Sequence, residues 1–310
     1  MRTKNTLQWW FVAGLVLLGI LMACGQNPAQ ASAVPTMIPS NDAPVSAAYT
    51  VFMASYQRCG GVRGAGEILE GPAWMDTQWV VVTTNMVFAW PADDAAHGVR
   101  PLVLNSPSGE DAPEILDPGF FYTKGHNVPT FFEQYIRSRG GWACAGDPVG
   151  ELQFRENDEH VACQPFAHLT LCYDYQRQQG FIEALGKEFL QKHKNELLER
   201  LPTAIQAAPG WQLLVSVEPA DTNMLHLIVG GQLNGEPMPS DAVLAIQLQD
   251  DIEGTTLYVD MVPVSTLGGG VWTYDFSLND MHRGTTARTV LRACVVFDKQ
   301  LMACGESVFQ

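Results

Sequence analysis

The sequence predicts an α+β protein: two small helix-plus-β-hairpin repeats docked together, a connecting helix, and an all-β sandwich at the C-terminal end. Three observations carry this. A gapless duplication at an offset of 80 residues runs through the first half. Apolar residues alternate with period two from Pro209 onward. Six cysteines follow a leader that marks the chain for export.

The leader comes first in the chain. Arg2 and Lys4 precede an uncharged apolar run, Trp9 to Met22, and small Ala23 stands before Cys24. This is the layout of an exported segment cut ahead of the cysteine. Leu21-Met22-Ala23-Cys24 resembles the bacterial lipobox, which implies lipidation of Cys24, by palmitate for example, and places the protein on the extracytoplasmic face of the cell membrane. The competing readings are an ordinary signal peptide with a chance cysteine, or a short anchor. The run from Leu7 to Ala23 is 17 residues, at the lower limit for a span, and no basic stop-transfer cluster follows it.

The formal charge is −15, and loss of Arg2 and Lys4 with residues 1–23 takes it to −17. Such a chain repels nucleic acid and anionic headgroups. Membrane contact therefore falls to the acyl chains, at about 0.8 kcal/mol per buried CH₂. Residues 24–48 hold four prolines and one charge, Asp42, with no periodic apolar pattern. They read as a flexible tether able to reach several tens of Å at about 3 Å per residue.

The duplication aligns Thr50 to Gly61 on Thr130 to Gly141 and Gly66 on Gly146, giving copies at 49–104 and 123–179 within a repeat region 49–179. Each copy opens with a short amphipathic helix, Phe52 and Tyr56 or Phe132 and Ile136 sharing one face. A Gly pair ends it. Asn127 is a candidate cap for the second helix, with Pro129 in its first turn. A hairpin follows in each copy: Trp79–Val82 with Met86–Trp90, and Val161–Gln164 with His168–Tyr173. Units of about 50 residues are marginal alone, so the copies are expected to share a core. Residues 180–202 then read as a connecting helix with Ile182, Leu185, Phe189, Leu197 and Leu201 on one stripe, although Lys192-His193-Lys194 makes it uneven.

Residues 203–310 are read as all β. Strand patterns stand at Trp211–Val217, Leu225–Val229, Val243–Leu248, Thr255–Val262, Val271–Leu278 and Thr289–Phe297, ending in a hairpin around Lys299. Seven short strands in about 100 residues fit an Ig-like sandwich. Cys294 and Cys304 lie equally far from Lys299, within disulfide reach across the hairpin. Cys59, Cys144, Cys163 and Cys172 leave three pairings open. The spacing of Cys163, His168 and Cys172 matches no common zinc pattern, so no metal and no cofactor is expected.

Thr123-Lys124-Gly125-His126-Asn127-Val128, Phe132, Tyr135, Gly140-Gly141-Trp142 and Gly146-Asp147-Pro148 resemble a bacterial envelope repeat of the LGFP-like type. Val161–Cys172 fits the hairpin of that repeat, and Leu185-Gly186 the Leu-Gly that often follows. The resemblance covers about Tyr49 to Leu190. It implies binding or anchoring to cell-wall glycan, or to another envelope protein. The first copy departs from it, with Glu67 and Ile68 after Gly66 where the proline is expected. Cys163 and Cys172 stand at positions usually aromatic or His.

No Gly-x-Ser-x-Gly elbow, His-Glu-x-x-His helix or P-loop is present. No catalytic residue is assigned, and a non-catalytic surface protein is the expectation. The alternative is an enzyme or enzyme accessory, a hydrolase of envelope polymers, with an unrecognised site. Candidate glycan contacts are His126, Asn127, Trp142, Trp79 and Trp90. His126 reads equally as a polar residue holding its loop, and the tryptophans, with Trp74, as core. Asp250-Asp251-x-Glu253 offers carboxylates to calcium or is a solvated loop.

Lipidation is directly testable. Cys24→Ala should release the protein from the membrane fraction or leave it unprocessed, and the wild type should incorporate labelled fatty acid. An unchanged membrane distribution together with no label on the wild type contradicts the lipobox reading.

Overall fold

The computed structural model describes residues 47–309 apart from 108–110, 204, 206, 222, 251, 253 and 278–287. The signal peptide, Cys24, nearly all of the tether, and Asp251 and Glu253 of the acidic cluster lie outside the described residues. The architecture is α+β, with mostly antiparallel strands in several sheets, few short helices and a β-rich C-terminal half.

In the first copy α1 (Ala47–Arg58) buries Phe52 and Tyr56, as their i, i+4 spacing requires. The short α2 (Gly61–Gly64) leads into β1 (Ile68–Met75), β2 (Gln78–Thr83), β3 (Val87–Pro91) and β4 (Arg100–Pro101), a sheet in that order. The second copy begins with the hairpin β5 (Phe120–Thr123) and β6 (His126–Pro129), then α3 (Thr130–Arg137) and α4 (Trp142–Ala145). Its sheet, in the order β10-β9-β8-β7, comprises β7 (Gln153–Arg155), β8 (Asp158–Pro165), β9 (Thr170–Asp174) and β10 (Gln179–Ile182). After its hairpin the second copy repeats the first: helix, Gly-Gly turn, one-turn helix, antiparallel sheet.

Two local expectations are corrected. Asn127 does not cap α3: it lies in β6, and Pro129 occupies the N-cap without a side-chain hydrogen bond. The helix expected over 180–202 is confined to α5 (Leu185–His193). Gln179–Ile182 instead pairs with β9, whose edge needs a partner, and beyond His193 the polar Lys192-His193-Lys194 stretch interrupts the stripe, so that Leu197 and Leu201 are packed from non-helical backbone. Leu198 then exchanges two backbone hydrogen bonds with Trp74, at 2.7 and 2.8 Å.

The C-terminal half holds β11 (Trp211–Asp221), β12 (Met224–Leu233), β13 (Glu236–Pro237), β14 (Val243–Asp250), β15 (Thr256–Pro263), β16 (Val271–Ser277), β17 (Thr289–Phe297) and β18 (Gln300–Phe309). One sheet runs β11-β12-β13, with β16 also paired to β12, and the other runs β15-β14-β17-β18. The Asn234-Gly235 turn joins β12 to β13 with both residues at positive φ, the geometry that two-residue hairpins favour.

The sheet β15-β14-β17-β18 is covered on both faces. Leu244, Ile246, Leu248, Leu291, Ala293 and Val295 meet the facing sheet of the C-terminal half. Val243, Ala245, Val259, Met261, Cys294 and Val296 belong instead to the core that holds Phe52, Trp79, Trp90 and Phe132. Such two-sided burial is why β14 reads as a continuous apolar run rather than an alternating one. Gln247, fully buried on the first-half face, receives the Leu201 N–H and donates to the Glu199 carbonyl and Thr256 Oγ1. The described residues thus form one unit. The sheet β1-β2-β3-β4 is likewise covered twice, its second face packing against Phe189 and Leu190 of α5.

Three disulfides are present: Cys59–Cys144, Cys163–Cys172 and Cys294–Cys304. They point to an extracytoplasmic protein. No helix among the described residues is long and apolar enough to cross a membrane. Cys294 faces Cys304 for a reason beyond symmetry. The turn is two residues, Asp298-Lys299, both at positive φ, and it pairs Phe297 with Gln300. A bulge at Met302 then shifts the register by one, bringing Cys304 rather than Ala303 opposite Cys294.

Loop length ranks these bonds. Cys59–Cys144 closes 85 residues, the two hairpin bonds 9 and 10. The chain-entropy estimate is about 4.5 kcal/mol for the first and about 2.6 kcal/mol for each of the others. Cys59→Ala/Cys144→Ala should therefore lower denaturation midpoints clearly more than Cys163→Ala/Cys172→Ala. Equal losses, or peptide maps showing other pairings, contradict the arrangement.

Candidate functional site

Helix α3 carries two apolar stripes. Phe132 and Ile136 enter the core, which leaves Phe131 and Tyr135, one position before each, on a neighbouring face. That face lies against the sheet β10-β9-β8-β7. Phe154, Ala162, Tyr173 and Gly180 form one cross-strand row on it. The Tyr135 ring sits over Gly180, at 3.9 Å from the position of its missing Cβ. Small Ala162 and Gly180 on either side of Tyr173 let the rings lie close together.

The result is a ridge of rings. Phe131 meets Tyr173 at 4.9 Å between centroids, Tyr173 meets Tyr175 at 5.0 Å, and Tyr175 meets Phe154 at 5.8 Å. It is open to solvent: Phe154 is 60% exposed, Tyr175 45% and Phe131 39%. The ring planes are inclined to one another by 49°, 75° and 36°, and together they form an apolar patch with polar rims. At one end Arg139 lies 3.5 Å over the Tyr135 ring. Behind the ridge, on the opposite face of the sheet, the Cys163–Cys172 bond locks β8 to β9 and so holds the register of the rings.

The residues singled out from sequence lie elsewhere. Trp79 (0% exposed) and Trp90 (7%) are core side chains. Their indole N–H groups donate to the Asp260 carbonyl at 3.3 Å and the Ala95 carbonyl at 3.0 Å. Neither offers a face to a sugar, because that face is already in contact with the core. Trp142 is half-buried between Phe121 and Phe166, at 5.7 and 6.0 Å. His126 and Asn127 are buried. His126 Nδ1 lies 3.0 Å from Glu151 Oε1, and the Asn127 backbone N–H donates to the same carboxylate. Asn127 Oδ1 accepts from the Ile115 N–H while its amide donates to the Pro113 carbonyl. Gln164 completes the group by donating to the Asn127 and Gly150 carbonyls. Gly125, in the turn before His126, has φ +82°, and a side chain there would strike Asp111. The Gly-His-Asn stretch therefore works as a structural latch for the β5-β6 hairpin.

Cys163, Cys172 and Glu183 gather three potential ligand atoms within 4.8 Å of one another. Both sulfurs are engaged in the disulfide, and a thiolate is what a metal would need. His168 stands apart from them, its Nδ1 3.2 Å from the Cys144 carbonyl oxygen, and burial holds its pKa below the usual range.

A sequence signal for the ridge does exist. Leu171, Tyr173 and Tyr175 alternate, so that one strand face continues from core to surface. Phe131 was hidden by its neighbour Phe132, and Phe154 by its isolation among charged residues. No protein-family model, no curated protein and no solved structure matches the chain.

Proposed function

We propose that this protein is a non-catalytic, lipid-anchored surface protein that binds cell-wall glycan through the aromatic ridge of its second repeat. The observation that carries the reading is the ridge itself: exposed Phe131, Tyr175 and Phe154, joined through the half-buried ring of Tyr173. Sugar rings present apolar C–H faces that stack on such surfaces, while their hydroxyls meet polar groups at the rim. The extracytoplasmic location indicated by the disulfides puts the surface in the compartment where wall glycan is found. The resemblance to LGFP-like repeats favours the same ligand class, now at rings other than those the motif suggested.

In this reading the lipid on Cys24 retains the protein at the membrane and the tether gives it reach. The C-terminal half is an Ig-like sandwich. Its strand order supports that assignment, with β11, β12 and β16 together with the short β13 in one sheet and β15-β14-β17-β18 in the other. It departs from the antibody pattern in one respect: its disulfide joins two neighbouring strands of one sheet instead of bridging the sheets. Its role is to brace the repeat half, whose core it completes.

The test uses the full mature chain. It should sediment with purified peptidoglycan and release no soluble fragments. Tyr175→Ala/Phe154→Ala should weaken retention about a hundredfold, since each ring contributes roughly 1.5 kcal/mol of burial, with little change in melting temperature. Trp79→Ala should instead destabilise the fold by about 3–5 kcal/mol. Retention unaffected by loss of both rings removes the ridge from the account. Released muropeptides would favour a hydrolase.

A further inference from the structure

Resting on the glycan-binding reading, we infer that the ridge takes an acidic glycan with a set polarity, a sugar carboxylate lying at the Arg139 end and neutral sugars running toward Phe154. The chain has 33 acidic side chains against 18 lysines and arginines, so basic groups should find carboxylates easily. Arg137, Arg155 and Arg177 do, on Glu133, Glu183 and Asp174. Arg58, Arg63 and Arg139 do not: among the described residues none of them pairs with a carboxylate.

The backbones of Arg58 and Arg63 meet Arg139 at one place, the junction of the two Gly-Gly turns. Arg139 Nε reaches the Arg63 carbonyl at 3.4 Å. Gly140 (φ +90°) packs so closely on the end of α1 that a Cβ there would stand 2.2 Å from the Arg58 carbonyl oxygen. Gly60 packs reciprocally on the Arg139 side chain, 3.4 Å from its Cγ. The Cys59–Cys144 bond runs through the same junction and holds it closed. Arg58 is held by Ser55 Oγ at 2.8 Å and Arg139 by the Tyr135 ring at 3.5 Å, so two of the three guanidinium groups are pre-positioned. Arg139 Nε donates to the Arg63 carbonyl and Nη1 to Ser138 Oγ at 3.0 Å, so the Nη2 side of the fork is what stacking leaves to an anion.

The far end of the ridge has the opposite sign. Phe154 is followed, past Arg155, by exposed Glu156 in the turn and exposed Asp158 and Glu159 at the start of β8, while Arg155 itself is engaged by Glu183. An anion is therefore attracted at one end and repelled at the other, and this difference sets the direction of the bound chain. A sugar carboxylate suits the site better than a phosphate polymer. A guanidinium donates to both oxygens of a carboxylate, and a sparsely charged ligand is repelled less by the strongly acidic body.

Calorimetry on the full mature chain, with a neutral N-acetylglucosamine oligomer and a uronic-acid-containing oligomer of equal length, tests this. The acidic oligomer should bind about five- to tenfold more tightly at low salt. The advantage should shrink at high salt and vanish in Arg58→Gln/Arg63→Gln/Arg139→Gln. Arg58→Gln/Arg63→Gln, which leaves the Tyr135 stack intact, should remove part of it with an unchanged melting temperature. Tyr175→Ala/Phe154→Ala should weaken both oligomers alike. Equal affinity for the two oligomers, still sensitive to the ring variants, overturns the polarity and leaves the glycan reading standing. A phosphorylated glycan bound more tightly than the uronic-acid oligomer overturns the carboxylate assignment. No binding of any oligomer, with no retention on peptidoglycan, overturns both readings.

Discussion

The rest of the structure depends on one sheet, β15-β14-β17-β18, being buried on both faces. A β-sheet face that is apolar must be covered, and here the two coverings come from different halves of the chain. Leu244, Ile246 and Leu248 of β14 meet the facing sheet of the C-terminal half, while Val243 and Ala245 join the core that holds Phe52, Trp79 and Trp90, and Gln247 binds the segment Glu199–Leu201. Removing either half would expose a row of valine, alanine, methionine and leucine side chains to water, at roughly 25 cal/mol per Å². The organisation suggested by the duplication, repeats first and sandwich second, is thus a description of chain order rather than of separable bodies.

Rigidity at the ridge follows from that constraint. The core positions Phe132 and Ile136, and these in turn aim Phe131 and Tyr135 along the neighbouring face of α3. The Cys59–Cys144 bond ties the end of α1 to α4, while Cys163–Cys172 holds the strands beneath the rings. Under the proposed function, rings already in contact would lose little side-chain freedom when a ligand arrives, which is the general advantage of preorganisation.

How far the sequence carried the fold depends on how local each signal was. The strands of the C-terminal half were legible because period-two alternation and turn residues such as Asn234-Gly235 act over a few positions. The Cys294–Cys304 pair was legible from symmetry about Lys299, although the physical route to it, a two-residue turn corrected by a bulge at Met302, was not. Residues 180–202 misled, because an apolar stripe can be spent in three ways: Ile182 in an edge strand, Phe189 in a helix, Leu201 in an extended segment. Trp79 and Trp90 drew attention as sugar-stacking residues because residue type is visible in a sequence and exposure is not. The Cys59–Cys144 bond and the junction it holds are long-range facts, set by how two repeats dock, and no spacing rule encodes them.

Native-state hydrogen exchange of the full chain in rising denaturant tests the two-sided sheet most directly. Amides of β2 in the first repeat and of β14 and β17 in the sandwich should open together, at the free energy of global unfolding, because they share one core. If β2 exchanges through a distinctly lower-energy opening while β14 and β17 remain protected, the sheet does not couple the halves and the account is contradicted.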